Sequence, residues 1–305
     1  LESDVAKEAR RINNGKIDDL TSEDPLIVKA LTKKFKKNKT EFTAVDKLSF
    51  GVGKNECFGL LGLNGAGKTT TFKMLTGEII PTSGNAYING NEIVKDRSKV
   101  RRDMAFCPQF DYLPEYLTVE DAFGLFSALR GLERNTIKKV INDLISVFKL
   151  DEYRDKLVQN LSGGNKRKVS SGLAFIGRPS VIFLDEPTTG MDPAARRYLW
   201  TVIKKAREMG LTIILTTHSM EECEALATRL GIMVNGQFKC LGSVQQLKNK
   251  YGKGYTLILK CKNGVDIGSQ VLKTELFVTN NIRFAKLKDR QQDTLFYQIE
   301  IEDNV

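Results

Sequence analysis

Four short apolar runs set the framework of this chain: Cys57–Leu61, Met104–Cys107, Val181–Leu184 and Thr212–Thr217. Runs of this length without alternation predict strands covered on both faces, as in a parallel sheet. Helical spacing fills the gaps. Thr71–Leu75 reads as a helix. Thr118 with Asp121 three residues on is a capping-box pattern, and Val119, Ala122, Phe123, Phe126 and Leu129 continue it at helical spacing. Asn135 is the predicted cap of a second helix, with Ile137, Val140, Ile141, Leu144 and Phe148 on one face. A helical insertion over about 110–178 thus interrupts an α/β pattern. Met220–Leu230 is the last helix predicted before a closing hairpin, Gly231–Val234 with Asn235-Gly236 at its turn.

The ends read differently. Leu26–Val28 and Ala44–Val52 predict strands, with the basic segment Lys33–Lys37 between them as a loop. Pro81–Gly84 predicts a turn, and Asn85–Ile88 with Asn89-Gly90 a hairpin. In residues 1–24 only Val5, Ala9 and Ile12 fall on one helical face. So narrow a stripe cannot hold a helix alone, which favours a linker over a short helix docked on another element. From Gly254 a small α+β unit is expected: strands over Tyr255–Cys261, Ile282–Leu287 and Leu295–Ile301, and a helix over Gln270–Phe277. It stops just after a strand, so it reads as an incomplete fold.

Composition narrows the function classes. The 305 residues suffice for one large domain with an appendage, and the net charge of +10 suggests an anionic partner such as a nucleotide, a nucleic acid or a membrane surface. Cys57, Cys107, Cys223, Cys240 and Cys261 are scattered without a C-x-x-C spacing, which argues against a disulfide framework or a zinc site and for a reducing compartment. No apolar run approaches a bilayer-spanning length. The chain begins at Leu1 and reads as a piece of something longer.

The chemistry concentrates between Phe58 and Thr70, where a strand runs into G-x-x-x-x-G-K-T and then a helix. Gly62, Gly65 and Gly67 let the backbone turn tightly, and successive N–H groups can cradle phosphate oxygens. The helix start adds its dipole, Lys68 a point charge, and the Thr69 hydroxyl a ligand for Mg²⁺. Asp185-Glu186 follows the apolar strand Val181–Leu184. A carboxylate there, beside a P-loop strand, is placed to hold Mg²⁺, and its neighbour to accept a proton from an attacking water. Leu161-Ser-Gly-Gly-Asn165 opens a basic helix and offers unpaired N–H groups for an anion. His218, the single histidine, ends another strand of the same unit. Phe35 stands among lysines, where a ring can stack on a base, and Phe42 competes for that role.

Taken in order, the P-loop, Gln109, Leu161–Asn165, Asp185-Glu186, Gly190-Met-Asp192 and His218 resemble the nucleotide-binding domain of an ABC transporter. Ser162–Lys168, Phe183–Pro193 and His218–Leu226 look most like the A subfamily, whose large eukaryotic members are mostly lipid transporters. Asp4–Arg10 and Cys240–Val244 resemble the second of its two nucleotide-binding domains. The implied architecture is α/β: a P-loop NTPase core with an antiparallel β part and a helical subdomain over 25–245. A linker from the membrane domain over 1–24 and a partial α+β regulatory domain over 246–305 flank it.

The resemblance also implies roles. Asn64, Gly65, Ala66, Gly67, Lys68, Thr69 and Thr70 hold the phosphates of ATP. Thr69, Gln109 and Asp185 serve Mg²⁺. Glu186 is the base, His218 contacts the γ-phosphate, and Phe35 stacks on adenine. Ser162, Gly163 and Gly164 serve a nucleotide on a second nucleotide-binding domain, head to tail, with Asp192 bridging the pair. The implied partners are the transmembrane domain of the same polypeptide and a transported membrane lipid. Nucleic acid is not expected, and the domain lies on the cytoplasmic side. Asn165 departs from the commoner Gln, and Phe35 from Tyr. The rival reading is a soluble ABC ATPase acting on ribosomes or DNA.

Overall fold

A computed structural model describes residues 3–37, 40–251, 255–260, 267–282, 285–291 and 294–299. The chain divides into two units, 1–244 and 245–305. In the first, the amino-terminal residues form helices, which the narrow apolar stripe did not predict. α1 (Asp4–Asn14) is capped by Ser3, whose hydroxyl accepts the Ala6 N–H at 3.2 Å, and α2 (Ile17–Glu23) follows. Ile12 is fully buried with Leu20 and Ile27. Charge completes what the narrow stripe lacks. Arg11 donates to both oxygens of Glu8 at 2.9 Å and pairs with Asp24 at 2.7 Å, while Glu8 accepts the Gly51 N–H at 3.0 Å. The helix is held by tertiary contacts that local spacing does not show.

β1 (Leu26–Lys37) and β2 (Thr40–Val52) form an antiparallel pair that extends through the basic segment expected as a loop. Lys34 pairs with Glu41 at 3.2 Å, and Phe35 stands opposite Phe42. Such cross-strand pairs stabilise a ladder despite the local lysine density. β3 (Cys57–Leu61) then leads into α3 (Lys68–Leu75). β4 (Ser83–Ile88) and β5 (Asn91–Glu92) make the predicted hairpin, with Asn89 at φ 48° and Gly90 at φ 76° in its turn. β2, β1, β4 and β5, in that order, form one antiparallel sheet.

α4 (Arg97–Asp103) and β6 (Met104–Cys107) precede the helical insertion of α5 (Val119–Leu129), α6 (Arg134–Val147) and α7 (Gly163–Ala174). Thr118 caps α5 as its spacing predicts, accepting the Asp121 N–H at 3.1 Å and donating to its carboxylate at 2.6 Å. α6 opens two residues earlier than expected, with Glu133 as the cap and Asn135 inside the helix. Then come β7 (Val181–Asp185), α8 (Pro193–Glu208), β8 (Thr212–Thr217), α9 (Met220–Leu226), β9 (Arg229–Val234) and β10 (Gln237–Gly242). α9 stops four residues before the expected end, because Ala227 turns extended at ψ 130° to enter β9.

The four apolar runs become neighbours in the second sheet, ordered β10-β9-β3-β8-β7-β6. β9, β3, β8, β7 and β6 are parallel, and β10 closes the edge antiparallel. Val181–Asp185 and Thr212–Thr217 are buried throughout. One core cluster joins this sheet to the helical insertion through Phe123, Phe148, Leu184 and Trp200. Another joins it to the antiparallel sheet through Phe50, Phe58, Phe72 and Phe183. The parallel order brings the carboxyl ends of β3, β6, β7 and β8 to one rim, where ligands of open α/β sheets bind.

α10 (Val244–Tyr251) leads into the second unit, where β11 (Tyr255–Lys260), α11 (Ile267–Asn281), β12 (Ala285–Gln291) and β13 (Thr294–Ile299) follow. The sheet is antiparallel, ordered β11-β13-β12, over a small core of Val271, Val278, Leu295 and Tyr297. The helix is longer than predicted, and Cys261 and Ile301 lie outside the described residues.

Candidate functional site

β3 delivers the chain to a loop whose shape glycine alone permits. Gly67 closes it at φ 106°, and a Cβ there would stand 2.5 Å from the Ala44 carbonyl oxygen. A Cβ on Gly62 would stand 2.6 Å from the Met233 oxygen. The loop is therefore pressed against β2 and β9, and the Gly236 N–H pins it further by donating to the Ala66 oxygen at 2.9 Å. Asn64, Gly65 and Thr69 remain exposed, Thr70 is half-buried and Ala66 is buried. Lys68 is only 6% exposed, and its Nζ donates to the Gly62 oxygen at 2.6 Å and the Leu63 oxygen at 3.2 Å. Burial lowers its pKa, partly offset by the charges of Glu186 and Asp185. An ammonium has three donors, so one is left for an anion. The first N–H groups of α3 have no acceptor within their own helix.

Asp185 ends β7 almost fully buried, with the Thr216 hydroxyl donating to its Oδ1. Burial pushes its pKa up, the Thr216 bond pulls it down, and the Glu186 charge adds to the rise. Glu186 then takes φ 46°, in the left-handed region where a side chain of its size costs about 1–2 kcal/mol. Two bonds hold it there: its N–H donates to the Thr216 carbonyl and hydroxyl oxygens, each at 3.1 Å. The side chain gathers the rim. Gln109 Nε2 and Thr189 Oγ1 each donate to Oε2 at 3.1 Å, and His218 Nδ1 lies 3.2 Å from Oε1. Gln109, Glu186 and His218, far apart in sequence, thus meet around one carboxylate.

The structure does not bring Ser162, Gly163, Gly164 or Asp192 into that group. Ser162 caps α7 by accepting the Asn165 N–H at 3.3 Å. A Cβ on Gly163 or Gly164 would meet nothing within 4 Å, so this helix start is open. Asp192 caps α8, accepting the Ala194 and Ala195 N–H groups at 3.0 Å, and these backbone bonds lower its pKa. Phe35 and Phe42 are 40% and 61% exposed and face each other across the β1–β2 ladder. Directly paired residues share a face, so the two rings form one apolar patch. Lys33 lies 5.2 Å from the Phe35 ring centre.

Sequence reasoning passed over three groups. Thr216 orients both acids. Glu222, buried, accepts from Thr188 at 2.9 Å and Trp200 Nε1 at 3.2 Å and so ties the segment after β7 to α8 and α9. Arg167, 2% exposed, bonds backbone oxygens beside both Gln109 and Glu186. The sequence carries no signal for it: Arg167 shares a helical face with Ser170, Ser171 and Ala174, and their burial is decided by tertiary packing.

Residues 45–189 match the model of the ABC transporter family. A solved ATP binding subunit of an ABC transporter is 30% identical, with a TM-score of 0.68, over 74% of this chain and 93% of that one. The chain belongs to the ABC transporter family. Within it, the likeness is to the A subfamily. Phospholipid-transporting ATPase ABCA3 of Rattus norvegicus is 48% identical over 300 residues, 98% of this chain. Retinal-specific phospholipid-transporting ATPase ABCA4 of Homo sapiens is 46% identical over 299 residues. The chain spans only 17% and 13% of those two proteins. A dimeric ATP-binding cassette in a post-hydrolysis state with ADP and Pi shares the fold, with a TM-score of 0.66 at 21% identity over 72% of this chain and 98% of that one. Among the described residues of this ABC domain, no helix is long and apolar enough to cross a membrane.

Proposed function

We propose that this ABC domain binds ATP with Mg²⁺ in the loop 62–70 and hydrolyses it to drive lipid movement by the longer protein that contains it. The observation that carries the reading is the Glu186 carboxylate. It is held by Gln109, Thr189 and His218, next to Asp185, on the same sheet as the glycine loop. Thr69, Gln109 and Asp185 offer oxygen donors suited to Mg²⁺. Among the described residues no cluster of three or more His, Cys, Asp or Glu could hold a metal. That fits an ion bound through one carboxylate and the substrate's phosphates. When bound, Mg²⁺ would neutralise charge on the β- and γ-oxygens.

The chain's own groups divide the remaining work. Lys68 and the amides of 64–70 bind and orient the triphosphate. Glu186 holds the attacking water and takes its proton, and its strained backbone keeps the carboxylate aimed. Gln109 and His218 fix that carboxylate from both sides, and His218 reaches the γ-phosphate. Phe35, with Phe42 on the same face, stacks on the adenine. Ser162, Gly163, Gly164 and Asp192 lie outside this group and are open or exposed, which suits service to a nucleotide on a second, head-to-tail domain. A cassette of the same fold is dimeric, which supports a second domain as a partner.

The lipid assignment rests on the likeness to phospholipid-transporting ATPases, and the proposal places this domain on the cytoplasmic side of the membrane. The same likeness favours this reading over a soluble ABC ATPase acting on ribosomes or DNA. Isothermal titration of the parent chain and Lys68→Ala with ATP–Mg²⁺ tests the core of it. The variant should lose most of its affinity, because a buried phosphate charge loses its point-charge partner. Unchanged binding would exclude this loop as the site.

A further inference from the structure

The segments that leave β6 and β7 carry Gln109 and Glu186, just past the last paired residues of the two strands, Cys107 and Asp185. Buried carbonyls there need donors from elsewhere. One side chain provides them. Arg167 Nε donates to the Pro187 oxygen at 2.9 Å, and Nη2 to the Asp185 and Glu186 oxygens at 2.8 and 3.0 Å. Nη1 donates to the oxygens of Pro108 and Gln109, the latter at 3.3 Å, and to Asp111 Oδ1 at 3.0 Å. A single planar guanidinium thus clamps the main chain at both ends of the Gln109–Glu186 hydrogen bond. Its stem starts on α7, five residues after Ser162.

We propose that Arg167 is a positioning residue for hydrolysis: it sets the spacing between Gln109 and Glu186 and couples that spacing to α7. This rests on the reading of Glu186 as base. The geometry has a direct consequence. The side-chain bond from Gln109 to Glu186 is 3.1 Å, and a small separation of the two backbones breaks it. A base must stay within hydrogen-bond reach of the water it activates. Lysine cannot replace the clamp. Its ammonium is one point with three donors, whereas the guanidinium presents five in a fixed fork. Any shift of α7 is passed by this rigid fork to both catalytic segments at once. Nucleotide contacts in the loop 62–70 do not involve Arg167, so affinity and turnover should separate.

The test uses the full-length protein that contains this chain, with Arg167→Lys, Arg167→Met and Glu186→Gln in parallel. Steady-state ATPase gives kcat and KM, and equilibrium binding gives the ATP affinity. Arg167→Lys should keep ATP affinity and lose roughly 10–100-fold in kcat, the range expected for a displaced supporting shell. Arg167→Met should lose at least as much. Normal kcat in Arg167→Lys overturns the proposal. So does a fall carried wholly by KM and affinity, or a Lys variant that no longer binds ATP, since either marks a purely structural role. Glu186→Gln separates the two levels. If it turns over normally, the hydrolysis reading fails. If it is inactive while Arg167→Lys is normal, only the positioning role fails.

Discussion

Replacing Glu186 by Gln isolates proton transfer from everything else at this site. The side chain keeps its length, and the backbone at φ 46° keeps its two bonds to Thr216. Both carboxylate oxygens now accept: Oε2 from Gln109 and Thr189, with His218 at 3.2 Å from Oε1. An amide offers one acceptor oxygen and one donor nitrogen, so one side of this cluster meets a donor instead. An unmatched buried donor costs about 1–3 kcal/mol, eased here because the Gln109 amide can flip and the Thr189 hydroxyl can rotate. The variant should therefore fold. Lys68 and the loop amides are untouched, and removing a negative charge near the triphosphate favours binding. Loss of the general base slows the reaction about 10²–10⁴-fold. At 1.36 kcal/mol per tenfold, that is about 3–5 kcal/mol of barrier. The assay is steady-state ATPase on the full-length protein with nucleotide retention on the same sample. The expected pair of results is ATP held at least as tightly as by the parent and hydrolysed far more slowly. Near-normal turnover would refute the assignment and shift the base to His218.

Three further outcomes follow from the geometry. Ser162→Arg should leave ATP binding by the isolated domain intact yet stop hydrolysis in the assembled protein; lost affinity in the monomer would show that Ser162 serves its own site. Phe35→Ala should weaken ATP by about 1–3 kcal/mol if the ring stacks on the base, with a smaller effect from Phe42→Ala, and the reverse order in a titration would move the role to Phe42. For Glu8, burial pushes the carboxyl up, but the Arg11 bond, the Gly51 amide and the charges of Arg11 and Arg229 outweigh it and hold the pKa below the ordinary glutamate value. A depressed carboxylate contributes stability that is present above the unfolded value and lost as pH falls through the folded one. Glu8→Gln should therefore melt below the parent at neutral pH, with the gap closing in acid; a gap independent of pH would contradict the network at α1.

What sequence could settle was local. The cap at Thr118 depends on neighbours within a few residues, and the glycines of 62–67 and the apolar run before Asp185 stand out by residue type, although the close approach of Ala44 and Met233 that requires Gly67 and Gly62 is tertiary. Spacing and residue type were enough to place them. The order of four buried runs around two helical stretches was enough for an α/β core. Glu186 could be named because its strand ends there. That it would sit in the left-handed region, and which oxygen would face Gln109 and which His218, could not. Those depend on β6, β7 and β8 lying side by side, with Gln109 and Glu186 77 positions apart in sequence and Glu186 and His218 32 apart. The same limit hid Arg167, whose burial among lysines follows from backbone oxygens on two other segments. It also hid the docking of α1, where an apolar stripe too thin to hold a helix is completed by Asp24 and Gly51. Only tertiary folding supplies partners so distant in sequence, because a buried charge is tolerated only where its partners meet it.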